Sequence, residues 1–130
     1  MRIEHWETAL HDAIQAARER AFSYGTHDCA TFAFNVRHAL TGEDAAAEWR
    51  GRYSTELGAK RMLTRLGHED VAALATHHLG EPQPVGLARR GDIVLIDGAL
   101  GVCVGAKCAF AGDDGLVFRR LMDCTKAWRV

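Results

Sequence analysis

The stretch "YGTHDCATFAF", residues 24–34, sets a thiol immediately after a turn and an acidic residue, where a helix is expected to begin. Three roles are open to Cys29: nucleophile, metal ligand, or small buried residue. A thiol in the first helical turn meets unpaired backbone N–H groups and the positive end of the helix dipole, both of which favour thiolate. Free cysteine is also among the residue types most often buried, so position alone leaves the three open. A nucleophilic thiol further needs an imidazole within hydrogen-bond reach, to take its proton and later to protonate the leaving group. The chain has seven histidines, none of them after Gly80. His38 lies on the same predicted helix, about 13 Å along at roughly 1.5 Å per residue, and is out of reach. His27, next to the helix start, and His77 and His78, near the end of a later helix, are the candidates for a substitute base; His5, His11 and His68 carry no such argument.

The alternative chemistry is metal binding. Cys103 and Cys108 fall in strands joined by a tight turn, and Cys29 and Cys124 can complete a four-thiolate set of the kind that holds zinc or an iron–sulfur cluster. The spacing is not that of paired C-x₂-C motifs, and strand alternation puts Cys103 and Cys108 on one face only for some turn geometries. "GDDG", residues 112–115, reads as a hairpin turn rather than a calcium loop, because other oxygen ligands are missing around it. "ARRGD" reads as a solvated strand start, and Trp6, Trp49 and Trp128 as core residues rather than sugar-stacking platforms.

The elements that must position these groups follow from periodicity. Apolar residues at Trp6, Leu10, Ile14, Ala17 and Ala21 predict an amphipathic helix over 4–21. Asp28 is a good N-cap for a second helix, whose stripe of Cys29, Phe32, Ala33, Val36 and Leu40 is closed by Gly42. "DAAAEWRGRY", "STELGAKRMLTRLG" and "EDVAALATHHLG" predict a short helix and two longer ones, so residues 1–80 form a mainly helical half. Both prolines fall in "EPQPVG" and mark a boundary. Residues 88–130 form a mainly β half, with "DIVLI", "LGVCV", "KCAFA" and "LVFRRL" as short strands separated by turn signals and a helical turn and strand in "MDCTKAWRV". The expected fold is one α+β domain over 1–130, N-terminal helices packed on a C-terminal antiparallel meander of about four to six strands.

The 130 residues are 48% apolar and 25% charged, which fits a folded chain with a real core. A formal net charge of −1 with interspersed signs leaves no electrostatic footprint for nucleic acid or an anionic membrane. The N-terminus lacks the apolar run of a signal peptide or membrane span, so synthesis in the cytoplasm and reduced cysteines are expected.

"HDCATF" at a helix start, "RRGDIVLID" and the glycine-bounded "LGVCVG" together resemble the NlpC/P60 superfamily of papain-like cysteine peptidases. Asp28, Cys29 and Phe32 match its Asp-Cys-x-x-Phe motif, Gly91 and Asp92 its Gly-Asp-hydrophobic strand, and Gly101 with Gly105 the frame of its histidine strand. The resemblance implies an NlpC/P60-like fold with Cys29 at the nucleophile position, but Ala99 or Leu100 stands where the general base belongs. The whole chain also resembles a family of small phage and prophage proteins encoded among tail genes. That resemblance implies a structural or assembly protein of the tail tip or baseplate, carried in the virion tail after synthesis in the host cytoplasm. Its partners would be other tail proteins, with peptidoglycan as a further one; the alternatives are an active peptidase on peptidoglycan stem peptides and a metal-binding tail component.

Overall fold

A computed structural model describes all residues from Met1 to Val130. Four α-helices precede five strands: α1 (Trp6–Ala17), α2 (Cys29–Thr41), α3 (Glu56–Arg65), α4 (Val71–Leu79), β1 (Ile93–Ile96), β2 (Ala99–Cys103), β3 (Lys107–Gly112), β4 (Gly115–Arg120) and β5 (Lys126–Trp128). No helix is long and apolar enough to cross a membrane. The strands form one antiparallel sheet in the order β4-β3-β2-β1-β5, so the first four make a meander and the last folds back onto the free edge of β1. The mixed helix and antiparallel-sheet class is as the sequence pattern predicts.

Two expected helices are shorter than their patterns. α1 stops at Ala17 rather than Ala21, because the chain must turn to bring Phe22 N–H onto the Gly112 carbonyl at 3.0 Å beside the β3–β4 turn. "DAAAEWRGRY" forms only a 3₁₀ turn over Ala45–Glu48, after which Gly51 takes a positive φ of 75°. The remaining helices start at capping side chains: Asp28, the predicted cap, and also Thr55 and Asp70 each accept a hydrogen bond from a first-turn N–H.

The sheet has two unlike faces, as strand alternation demands. Ile93, Leu95, Leu100, Val102, Ala109 and Trp128 face the helices and join Phe32, Val36 and Leu40 of α2 in the main core. Val94, Ile96, Cys103, Cys108, Phe110 and Ala127 face the other way and form a smaller core with Cys124, covered by 3₁₀ turns at Val85–Leu87 and Leu121–Asp123. Gly101 has no side chain because the Phe110 ring occupies the space a Cβ would need. β2 pairs with β1 at four positions but with β3 at only two.

Candidate functional site

The start of α2 is built around a buried carboxylate. Asp28, 4% exposed, accepts from the Thr31 N–H at 2.9 Å through one oxygen. The other oxygen accepts from the Gly25 N–H at 2.9 Å and the Tyr53 hydroxyl at 2.5 Å. Gly25 has a φ of 87°, and a Cβ there would run into the Tyr53 carbonyl, so only glycine allows the 23–27 turn to lie directly on this segment. The Gly51 N–H donates to the Gly25 carbonyl at 2.9 Å, and Trp49 Nε1 donates to Thr31 Oγ1 at 3.1 Å. Residues 49–53 therefore clamp the first turn of α2 from outside. Burial and the Asp28 hydrogen bond both push the Tyr53 phenol well above its ordinary range, so it remains a donor.

Cys29 is the first residue of α2 and is half-buried. It helps to wall an apolar cavity of about 160 Å³ bounded by Phe22, Tyr24, Met62, Leu66 and Leu74. Backbone N–H groups of Leu100, Ala30 and Cys29 itself favour the thiolate. Desolvation outweighs them and, with the nearby Asp28 charge acting in the same direction, holds the thiol above its ordinary pKa. At neutral pH Cys29 is a protonated thiol.

The strand facing that sulfur supplies no base. Of the two residues where the NlpC/P60 pattern has its histidine, Ala99 belongs to the outer face of the sheet and Leu100 to the inner face with Cys29. No histidine lines the cavity. His27, 2% exposed, sits between α1 and α2 near Ala17, Arg20 and Asn35, with its ring edge-on to Phe32 at 5.6 Å. Its Nε2 has no hydrogen-bond partner, and burial lowers its pKa. His78 packs on Phe34 and Trp49 with ring centroids 5.6 and 6.2 Å away, its pKa also lowered by burial; His77 lies 5.0 Å from His68 on the exposed side of α4. His27 thus lies between α1 and α2, His77 and His78 lie side by side on α4 with ring centroids 4.8 Å apart, and none lines the Cys29 cavity.

The second motif carboxylate, Asp92, is completely buried. One oxygen accepts from Arg2 Nη2 at 2.9 Å and the Val130 N–H at 3.0 Å. The other accepts from Gln83 Nε2 at 3.1 Å and the Arg89 N–H at 2.9 Å. Arg2 also donates to the carbonyls of Arg90 and Val130, at 2.7 and 3.0 Å. Asp92 is therefore the junction where both chain ends and the proline-containing connection meet the sheet. Spacing alone does not reveal Tyr53, Gly25, Arg2 or Gln83, since each partner is either outside any recognised local motif or at the far end of the chain.

The four cysteines are not brought together. Cys29 packs on the helix side of the sheet, and Cys103, Cys108 and Cys124 on the opposite side. No group of three or more His, Cys, Asp or Glu side chains is disposed to hold a metal ion. Asp113 and Asp114 form the β3–β4 turn, as expected. Trp49 and Trp128 are core residues whose indole N–H groups are satisfied by Thr31 and Thr76, while Trp6 is only partly buried under the Arg2 guanidinium, 4.2 Å from its ring centre.

A family model described as a domain of unknown function, DUF6950, matches residues 1–130, and the chain belongs to that family. No curated protein matches it at a significant level.

Proposed function

We propose that this DUF6950 protein is a non-catalytic relative of the NlpC/P60 peptidases that serves as a structural or assembly component of a phage tail tip or baseplate. The observation that carries the non-catalytic part is the setting of Cys29: a protonated thiol in an apolar cavity that no histidine lines, facing Leu100 where a base is required. Loss of general acid–base assistance alone costs about 10²- to 10⁴-fold in rate. The surviving motif residues have another use, because Asp28 and Asp92 are saturated by backbone and side-chain donors that hold the architecture together. The tail as the place of action rests on the resemblance to small phage and prophage proteins.

The test is complementation of a phage or prophage from which the gene for this chain has been deleted. Cys29→Ala is expected to restore particles and infectivity to the level of the unaltered chain, and immunogold labelling is expected at the tail tip. Purified protein is expected to leave peptidoglycan stem peptides intact. Stem-peptide cleavage that disappears in Cys29→Ala, with particles that assemble but fail to infect, would establish the peptidase reading instead.

A further inference from the structure

The outer face of the sheet holds three sulfurs that the Cys29 site does not use. Cys103 and Cys108 are paired directly across β2 and β3. The Cys103 N–H donates to the Asp92 carbonyl at 2.8 Å, and the Cys103 carbonyl accepts from the Gly91 N–H at 2.7 Å, so both its backbone groups point toward β1. The next pair outward is hydrogen-bonded, with the Val104 N–H on the Lys107 carbonyl at 2.9 Å. Cys103 and Cys108 therefore form a non-hydrogen-bonded antiparallel pair, the arrangement in which facing side chains approach most closely, with Cα atoms about 4.5 Å apart. That spacing is at the short end of the range a disulfide spans.

Cys108 lies beside both Cys103 and Cys124, whose thiols donate to the Gly105 carbonyl at 3.3 Å and the Arg120 carbonyl at 3.8 Å. Cys124 is the most exposed of the three at 7%, against 1% for Cys103 and 0% for Cys108. The surroundings are largely apolar, with Val94, Ile96, Phe110 and Ala127 as neighbours, while Arg119 is paired with Cys108 across β3 and β4 and its charge favours the Cys124 thiolate. The closeness of Cys108 shifts the Cys103 pKa downward, which favours thiolate there.

We propose that Cys103, Cys108 and Cys124 are an oxidation site, at which a hydroperoxide meets Cys124 first and the end product is a Cys103–Cys108 disulfide across β2 and β3. The inference does not depend on the reading of Cys29. In the first step Cys124, whose thiol burial holds above its ordinary pKa, gives up its proton and attacks hydrogen peroxide: an S–O bond forms, the O–O bond breaks and hydroxide leaves. The Cys108 sulfur then attacks the sulfenic sulfur, forming the Cys108–Cys124 bond and expelling the oxygen as water with the thiol proton. Finally the Cys103 thiolate attacks the Cys108 sulfur, and Cys124 leaves as thiolate. In sum two thiols lose two electrons and two protons, and one peroxide becomes two waters.

Trypsin reads the outcome, because Lys107 separates Cys103 from Cys108 and Arg119 separates Cys108 from Cys124. The folded full chain is treated with hydrogen peroxide, quenched with N-ethylmaleimide at intervals, digested and weighed. Peptide 91–107 is expected to become linked to 108–119, with 121–126 recovered alkylated, and a transient link between 108–119 and 121–126 is expected to precede it. Cys124→Ser is expected to slow the final link about tenfold, since reactivity follows exposure. The wild-type time course stands on its own if that variant packs badly. Over-oxidation of Cys124 with no link, links only between molecules, or a final link reached without the transient one overturns the proposal.

Discussion

Asp28 and Asp92 are both buried carboxylates that sit in recognisable peptidase-like motifs, yet they hold different things. Asp28 gathers donors from Gly25, Thr31 and Tyr53, and so fixes one helix start against one neighbouring segment. Asp92 gathers donors from Arg2, Gln83, Arg89 and Val130, and so fixes both chain ends and the link between the halves. Neither donates to, accepts from or orients an imidazole at Cys29. An acidic residue in such a motif can be fully engaged by the hydrogen bonds it accepts, with no imidazole beside it.

The contrast predicts a ranking. Asp92→Ala is expected to be the most damaging, by about 3–5 kcal/mol, because it strands the buried Arg2 guanidinium together with buried backbone donors. Chemical denaturation should show this, and a loss below about 1 kcal/mol would remove the junction role. Asp28→Ala is expected to cost about 2–3 kcal/mol, the sum of a lost N-cap and a stranded Gly25 N–H. Tyr53→Phe, which keeps the ring and removes one donor, should cost about 1.5 kcal/mol. If the two Asp variants were equally damaging, the difference between local cap and global junction would not hold.

Acid should act through another pair of groups. Burial lowers the pKa of both His27 and His78 in the folded state, so below the ordinary histidine value of 6.5 the unfolded chain binds protons that the folded chain resists. Their neutral, buried forms are accommodated in full above about pH 6.5, and stability falls as pH drops below it, by up to about 1.4 kcal/mol per pH unit for each proton. Melting curves between pH 7 and pH 5 should therefore be steeper for the unaltered chain than for His27→Gln.

The smallest expected change is at the motif's own centre. Cys29→Ala removes a half-buried thiol from a cavity wall and should shift stability by less than about 1 kcal/mol. Its alkylation by iodoacetamide should be slow at pH 7 and rise with pH beyond the ordinary thiol range, since burial holds the thiol protonated. Rapid labelling at pH 7 would mean an activated sulfur and would reverse the contrast drawn from the two carboxylates.

Much of the architecture was legible in local pattern. The cap at Asp28, the stop at Gly42, the switch from helical to alternating periodicity after the prolines and the turns at Asp97–Gly98 and Asp113–Asp114 are all short-range, and short-range preferences are written in neighbouring residues. α1 ran shorter than its apolar stripe because a tertiary hydrogen bond to Gly112 competed with its last turn. The residues around "WRGRY" failed as a helix because Gly51 and Tyr53 are committed to the turn at Gly25.

By itself the sequence determined that a thiol opens a helix, that an acidic residue caps it and that no histidine occurs in the strands beyond it. Only the tertiary structure decided which sulfurs are neighbours: alternation along β2 and β3 sends Cys103 and Cys108 away from the helices, while Cys29 faces the sheet from the helix side. It also decided that His27, His77 and His78 lie elsewhere. The physical reason is the same in each case. A side chain's direction is set by the local backbone, whereas its company is set by which elements pack against it, and packing brings together residues that no spacing rule connects.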